Sequence, residues 1–181
     1  MRLAGAYMIS AITPDFLPHP IELSVGRASD YTTLARFHYL AGAPATWAGV
    51  SVARYDGRLI AVAALSYPSA VHRGRDRAFG LTGQTYGQRL HWANANVLNI
   101  SRVVVHPQFR ALGLARVLIE DLCTRCKTPY VESSARMGRA HPMFERAGFT
   151  RIDPATLAEP VYYFRKLRTP LAPHVTPPVT P

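Results

Sequence analysis

The chain lacks an apolar run long enough to cross a membrane. No stretch reaches the roughly 18 apolar residues that a membrane-spanning helix needs, and the opening residues are too weakly apolar and too often interrupted by proline for a signal peptide. We therefore expect a cytoplasmic protein, or one in the host cytoplasm if a phage encodes it, with no membrane partner. At 181 residues, 48% of them hydrophobic, the chain is long enough to bury one domain core.

Cysteine is scarce as well. Cys123 and Cys126 are the two cysteines of the chain, and they lie three positions apart on a predicted helix. A disulfide within one helical turn is geometrically awkward, and two thiols without further ligands make a poor metal site. We expect two reduced, partly buried thiols and no bound metal.

Acidic residues are few. The chain has 11 Asp and Glu against 21 Lys and Arg, which gives a net charge of +10 at pH 7. Most of the excess is arginine, which favours planar, bidentate contacts to phosphate and indicates a polyanionic partner. A GC-rich genome would produce the same excess without any function, and composition alone does not decide between the two.

The hydrophobic pattern predicts alternating strands and helices. Strands are expected at 21–26, 96–107, 129–135, 161–167 and in the short segment FTRI, and helices at 28–40, 110–126 and 141–148. Residues 46–68 hold two β-rich runs around Asp56-Gly57, a preferred type I′ turn, and this predicts a hairpin. Residues 67–96 show weak periodicity and are expected to form a long connection. This order predicts a mixed sheet with helices on both faces.

Three segments are expected along the chain. Residues 1–19 look irregular, residues 20–167 hold the predicted elements, and residues 168–181 are rich in proline and lack periodicity. The last segment is therefore expected to be an extended, disordered tail.

The stretch VVVHPQFRALGLARVLI, which begins at Val103, predicts a strand, a small turn and a helix. The first turn of a helix has unpaired N–H donors and carries partial positive charge. Gly113 and Ala115 keep side chains away from that turn, and Arg110 adds a guanidinium, so the junction is expected to bind a pyrophosphate. The alternative is an ordinary turn with no ligand.

This stretch resembles the acyl-CoA-binding motif of the GCN5-related N-acetyltransferase (GNAT) superfamily, Arg/Gln-x-x-Gly-x-Gly/Ala, with Arg110, Gly113 and Ala115 in the three fixed places. The later HPMFERAGF resembles the closing helix of that family. The resemblance implies a GNAT α/β fold with a mixed, mostly antiparallel twisted sheet of six to seven strands, and acetyl-CoA or another acyl-CoA as cofactor. It implies that main-chain groups of Val103, Val104 and Val105 hold the pantetheine, and that Arg110, Ala111, Leu112, Gly113, Leu114 and Ala115 hold the pyrophosphate.

Three segments, FHYL at 37–40, SRVVVHP at 101–107 and ESSARMGRAHPMFERAGF at 132–149, carry a second resemblance. They resemble acetyltransferase-like domains associated with ABC-type ATPases and Mom-like DNA-modifying proteins of phages, and the catalytic candidates come from this resemblance. It indicates His38, Tyr39, Arg102 and Glu132. His38 is suited to accept a proton at neutral pH, and Tyr39 to donate one. The alternatives are helix packing for His38 and Tyr39 and a structural ion pair for Arg102 and Glu132. Phe144 stands where many family members have a tyrosine that protonates the departing thiolate.

The expected connection at 67–96 interleaves arginines with aromatic residues, a composition typical of nucleic-acid grooves. Its candidate nucleic-acid contacts are Arg73, Arg75, Arg77, Tyr86, Arg89 and Trp92. The alternative is a solvated basic loop. His141 is expected to be a cap or a surface group, and His106 is a weaker candidate for a phosphate contact.

Three functions follow from these features. The first is an acyl-CoA-dependent N-acyltransferase that acts on a nucleic-acid base or modified-base amine, with DNA favoured over RNA. The second is an N-acetyltransferase for protein amines or small molecules. The third is a nucleic-acid-binding domain that has kept the fold and lost the chemistry.

Overall fold

The computed structural model describes residues 8–12, 17–40 and 42–167. Within them eight strands form one sheet: β1 (Met8–Ile12), β2 (Ile21–Val25), β3 (Gly49–Tyr55), β4 (Arg58–Ser66), β5 (Val97–Val105), β6 (Tyr130–Ala135), β7 (Thr150–Ile152) and β8 (Val161–Lys166). Five α-helices are α1 (Ala28–Leu34), α2 (Arg73–Phe79), α3 (Tyr86–Asn96), α4 (Leu114–Arg125) and α5 (Met143–Arg146). The predicted α/β fold with a mixed sheet is confirmed.

The sheet order is β1-β2-β3-β4-β5-β6-β8-β7. All neighbours are antiparallel except β5 and β6, which run parallel and are joined by a crossover through α4. The sheet has one strand more than the largest number predicted. The extra strand is β1, which lies inside residues 1–19, the segment that was expected to be irregular. It pairs with β2. The predicted tail at 168–181 lies outside the described residues.

The predicted hairpin is formed by β3 and β4. Asp56 and Gly57 both have positive φ, 49° and 71°, as a type I′ turn demands. The turn is local in sequence, so residue type alone is enough to place it.

The prediction for residues 67–96 is wrong, because this segment contains α2 and α3 instead of an open loop. Thr85 begins α3 with a capping box: its hydroxyl accepts from the N–H of Gln88, whose side chain accepts from the N–H of Thr85. Gly80, at φ 65°, ends α2. The weak periodicity has a physical cause, because the buried side of α2 is made of Gly74, Arg75 and Asp76 and not of apolar residues.

Two buried clusters hold the sheet faces. On one face α4 and α5 cover a large core that includes Leu118, Leu122 and Phe144. On the other face α1 packs Tyr31 and Leu34 against β3, β4 and β5. The predicted helix at 28–40 is shorter than expected, since α1 ends at Leu34 and a 3₁₀ turn, Ala35–Phe37, follows. None of the helices in the described part of the chain has the length and apolar character needed to cross a bilayer.

Candidate functional site

A cleft opens where β5 and β6 separate. The two strands pair at three positions, Val97–Asn99 with Tyr130–Glu132, and beyond these pairs both continue without pairing to each other. β5 still pairs with β4 on its other side as far as Val105. The main chain of β5 from Ile100 onward therefore presents an open edge to the cleft, where an extended ligand can take the place of a strand.

The N-terminus of α4 forms the next part of the cleft. Gly113 precedes the helix at φ 75°, and Ala111 has φ 68° in the same turn. A side chain added at Gly113 would meet nothing within 4 Å, so the space above this turn is open. The N–H groups of the first turn have no partner inside the helix. The junction thus presents free main-chain donors and the positive end of a 12-residue helix to one side of the cleft.

The cleft has a volume of about 780 Å³ and its walls are mainly apolar. Its lining includes Val103, Val104, Val105, Arg110, Ala111, Gly113, Leu114 and Ala115 from the predicted cofactor-binding set. Leu112 does not line it and instead packs against the large core. Three cations line the cleft: Arg110 in the turn before α4, Arg116 in the first turn of α4, and Arg146 at the end of α5. This arrangement suits a long ligand with an apolar arm and a phosphate group.

His38 and Tyr39 line the opposite wall of the cleft, directly after the 3₁₀ turn that follows α1. Their rings lie 4.7 Å apart, and Tyr39 is 54% exposed, so neither residue is a core packing residue. The N–H of Leu40 lies 3.1 Å from His38 Nδ1, and the carbonyl of Leu40 lies 3.3 Å from the same atom. Either neutral tautomer of His38 therefore finds a partner in Leu40.

Burial lowers the pKa of His38 below its usual value, the hydrogen bond with Leu40 opposes this shift, and the positive charge of Arg102 adds to it. The imidazole is consequently neutral at neutral pH. A neutral imidazole in a ligand-sized cleft is suited to accept a proton.

Arg102 lies on the part of β5 that does not pair with β6, one position before Val103, and is not itself among the residues that line the cleft. Its Nη1 donates to the carbonyl of Ser101 at 2.8 Å, and its Nε is buried without a hydrogen-bond partner in the described part of the chain. The predicted alternative of an ion pair between Arg102 and Glu132 is wrong, since Glu132 is bound elsewhere.

Glu132 does not reach the cleft, which corrects its assignment as a catalytic candidate. Its side chain is buried on β6, where Arg75 donates to both carboxylate oxygens and the hydroxyl of Tyr162 donates to Oε2 at 2.8 Å. Because Arg75 and Tyr162 are both buried and occupy both carboxylate oxygens, Glu132 attaches α2 to the sheet and is not free to act as a base.

The predicted nucleic-acid residues are not gathered on one free surface. Arg75 is 0% exposed, so its assignment as a nucleic-acid contact is wrong. Arg77 and Arg73 both bind Glu159, and Arg89 binds Asp76. Trp92 packs against Phe79 with ring centroids 4.7 Å apart. Tyr86, 62% exposed, and Arg73, with 79% of its side chain exposed, remain accessible.

Several cleft residues were not predicted from the sequence. Met137, His141 and Met143 line the cleft from the segment around α5, and Phe37 and Phe109 line it near His38 and Arg110. His141 was expected to be a cap or a surface group. The position of His141 in the cleft depends on the path of the chain after β6, and the local sequence pattern does not predict that path. His106 lies outside the cleft lining and packs edge to face against Phe37.

Phe144 is buried and stacks on Tyr163 with ring centroids 5.2 Å apart. Phe144 has no hydroxyl and therefore supplies no proton, as the sequence indicates. Both cysteines are free thiols, as predicted, and burial raises the pKa of Cys123 to about 11. In the residues that the structure describes, no three His, Cys, Asp or Glu side chains are grouped so that they could hold a metal ion.

Comparisons with known proteins agree with this geometry. A family profile described as "Acetyltransferase (GNAT) domain" matches residues 69–164. A search of curated protein sequences gives no match.

Solved structures share the fold at low sequence identity. The GNAT family N-acetyltransferase YhbS from Escherichia coli, solved with CoA, has a TM-score of 0.55 and 16% identity over 81% of each chain. Ard1 from Thermoplasma volcanium has a TM-score of 0.55 and 12% identity over 82% of this chain and 98% of its own. Naa50 from Arabidopsis thaliana, solved with a bisubstrate analogue, has a TM-score of 0.51 and 12% identity over 80% of this chain and 96% of its own.

Proposed function

The chain belongs to the GNAT family of acetyltransferases, which use acetyl-CoA, and we propose that it transfers the acetyl group to an amine that reaches the cleft beside His38. The observation that carries the proposal is that one cleft joins the open edge of β5, the N-terminus of α4 and the neutral imidazole of His38. The groups that would bind the cofactor and the group that would accept the proton thus line the same cleft.

The residues present fit the cofactor. Main-chain groups of Val103–Val105 would hold the pantetheine arm as an added strand, and the N–H groups after Gly113, with Arg110, would hold the pyrophosphate. Arg116, which also pairs with Glu120, and Arg146 add positive charge to the lining of the same cleft. When bound, acetyl-CoA supplies an activated thioester, and the chain's own residues have to orient the amine and remove its proton.

His38 is the residue best placed to take that proton. Its neutral ring has a free nitrogen when Nδ1–H donates to the carbonyl of Leu40, and a ring protonated on both nitrogens keeps the same partner. Tyr39 lies beside His38 and is largely exposed, so its hydroxyl is available to donate a proton to the departing sulfur. Phe144 has no hydroxyl and cannot do this.

The test is transfer of acetyl from acetyl-CoA to a broad panel of amines, followed by the release of free CoA thiol and by mass spectrometry of the product. We expect acetylated amine and CoA in equal amounts. Stoichiometric CoA binding with no transfer to any amine, peptide or nucleic acid in the panel would contradict an enzymatic function.

A second candidate acceptor is an amine on a nucleic-acid base, in the manner of Mom-like phage DNA hypermodification. The net charge of +10 favours a polyanionic acceptor, and Arg73 and Tyr86 are exposed to meet one. Such an enzyme would have to take the base out of the stack. Mass spectrometry of nucleosides from DNA and RNA of cells that express the protein tests this candidate, with cells expressing the Gly113→Leu variant as the control.

A further inference from the structure

Arg102 has no anionic partner in the residues that the structure describes. Its Nη1 is bonded to the carbonyl of Ser101, and its Nε is buried with no hydrogen-bond partner. Of the five other partly or fully buried arginines in the described part of the chain, Arg54, Arg75, Arg89 and Arg125 each bind a carboxylate, and Arg165 donates to the carbonyl of Ala147. Arg89 also has a buried Nε without a hydrogen-bond partner, but its Nη1 binds Asp76. A buried N–H without a hydrogen-bond partner costs free energy, and an anion that binds the guanidinium of Arg102 would offset part of that cost.

Arg102 stands next to the place where the acceptor must lie. It precedes Val103, the first β5 residue of the cleft lining, and shares a sheet face with Val104, which packs against α1. His38 follows directly after α1, and the charge of Arg102 acts on it. An anionic group bound by Arg102 would therefore hold the rest of its molecule beside the imidazole.

The electrostatics of the cleft favour a molecule of this kind. Its lining contains Arg110, Arg116 and Arg146, and no Asp or Glu is among the lining residues that the structure describes. Glu132, the carboxylate nearest in the fold to the separating strands, is fully engaged by Arg75 and Tyr162. Arg116 pairs with Glu120 at 2.8 Å, whereas no ion pair is found for Arg110 or Arg146 in the described part of the chain. A diamine or polyamine would thus bring positive charge to a cleft whose lining is already positive.

We propose that Arg102 is the anion-binding residue of the acceptor site and that the acceptor is a small amine that also carries a carboxylate or a phosphate. The inference rests on the proposed acetyl transfer and adds the chemical class of its substrate. The guanidinium fork matches both anions, because each offers two oxygens in one plane.

The experiment uses matched pairs of amines that differ in the anion alone. Amino acids are compared with the amines formed by removing their carboxyl group, and amino sugars with their phosphate esters. We expect kcat/KM to be higher for the anionic member by about 10- to 100-fold, the range of one charged hydrogen-bonding pair. Preference in the first set alone identifies a carboxylate, and preference in the second alone identifies a phosphate.

Arg102→Met tests the residue itself. The ratio of kcat/KM within a preferred pair should fall toward one, whereas a general loss of catalysis would lower both members equally and leave the ratio unchanged. Arg102→Lys should keep part of the preference. Arg58→Met removes one exposed arginine from the start of β4 and should keep the full ratio.

Two further outcomes have distinct meanings. Transfer without any preference within the pairs, or transfer to nucleic acid and to no small amine, overturns the inference and leaves the acetyltransferase function in place. A protein that binds acetyl-CoA but acetylates no amine overturns both.

Discussion

The guanidinium of Arg75 and the carboxylate of Glu132 form a two-pronged ion pair inside the protein, with Nε 2.8 Å from Oε2 and both residues almost wholly excluded from solvent. The pair joins α2 to β6 across 57 positions of sequence. Tyr162 of β8 donates to the same carboxylate, and burial beside this negative charge raises the pKa of the tyrosine far above its usual value. The three side chains form one structural unit.

Loss of Glu132 should therefore lower stability. Glu132→Gln leaves the guanidinium of Arg75 buried without its counter-charge, at a cost of about 3–5 kcal/mol. For a domain of this size that is a fall in Tm on the order of 10 °C. Thermal unfolding checks the value, and Glu22→Gln, an exposed position on β2, is the control. Unchanged Tm with lost turnover would restore Glu132 as a catalytic residue.

Gly113 should affect cofactor affinity more than stability. Gly113 and Gly80 have similar positive φ, 75° and 65°, and both have open space where a Cβ would lie. Leucine at either position costs about 1–2 kcal/mol of backbone strain. Only Gly113 lies in the cleft. Gly113→Leu should weaken CoA binding by at least about tenfold, as measured by calorimetry, while Gly80→Leu binds CoA normally. Equal affinities would exclude the proposed phosphate site.

Two helix glycines should respond oppositely to alanine. A Cβ at Gly74 of α2 would lie 2.4 Å from Cβ of Tyr162, whereas a Cβ at Gly87 of α3 would meet nothing within 4 Å. Gly74→Ala should destabilise the fold by about 1–3 kcal/mol through overpacking. Gly87→Ala should stabilise it by about 0.4–1 kcal/mol, since it restricts the unfolded chain. Denaturant unfolding measures both, and a Gly74→Ala variant as stable as the wild type would contradict the close packing of α2 on β8.

Turnover should depend on the protonation of His38. Because the folded protein lowers its pKa, the single-turnover rate should be level above pH 6.5 and fall only at lower pH, where the imidazole gains its proton. His38→Gln should reduce the rate by about 10²–10⁴-fold with little change in CoA affinity. His91→Gln, an exposed position on α3, is the control. If the variant keeps the wild-type rate, another group is the base.

Acid should destabilise the protein through His72. Burial lowers the pKa of His72, which packs on Tyr162 and lies with Nε2 2.7 Å from the hydroxyl of Ser134. Below pH 6.5 the unfolded chain binds a proton that the folded chain still excludes, so stability falls with pH until the lowered folded pKa is passed. His72→Gln should reduce this slope in Tm against pH between 6.5 and that pKa, and His91→Gln should not. An identical slope in both would show that other groups cause the acid sensitivity.

The sequence was most informative where the signal is local. Asp56-Gly57 predicts its hairpin from the residue types alone, and the Arg110–Ala115 motif predicts a cleft that the structure contains. Arg75 and Glu132 were misassigned because the structural role of each depends on a partner 57 positions away in the sequence. Charged residues are usually exposed, and the neighbouring sequence of Arg75 or Glu132 contains no pattern that indicates a buried ion pair.

The ladder between β5 and β6 has only three residue pairs, and it divides the sheet into one group of five strands and one group of three. The cleft that we propose for acetyl-CoA opens where these two groups separate, so its width depends on how firmly the groups are held together. On the face away from α4, α3 packs on β5 and α2 packs on β8. Arg89 of α3 binds Asp76 of α2, and Arg75 of α2 binds Glu132 of β6, so the two helices form a brace between the two groups of strands. A substitution that loosens the brace will therefore change the affinity for acetyl-CoA from a distance, without touching a single residue that binds it.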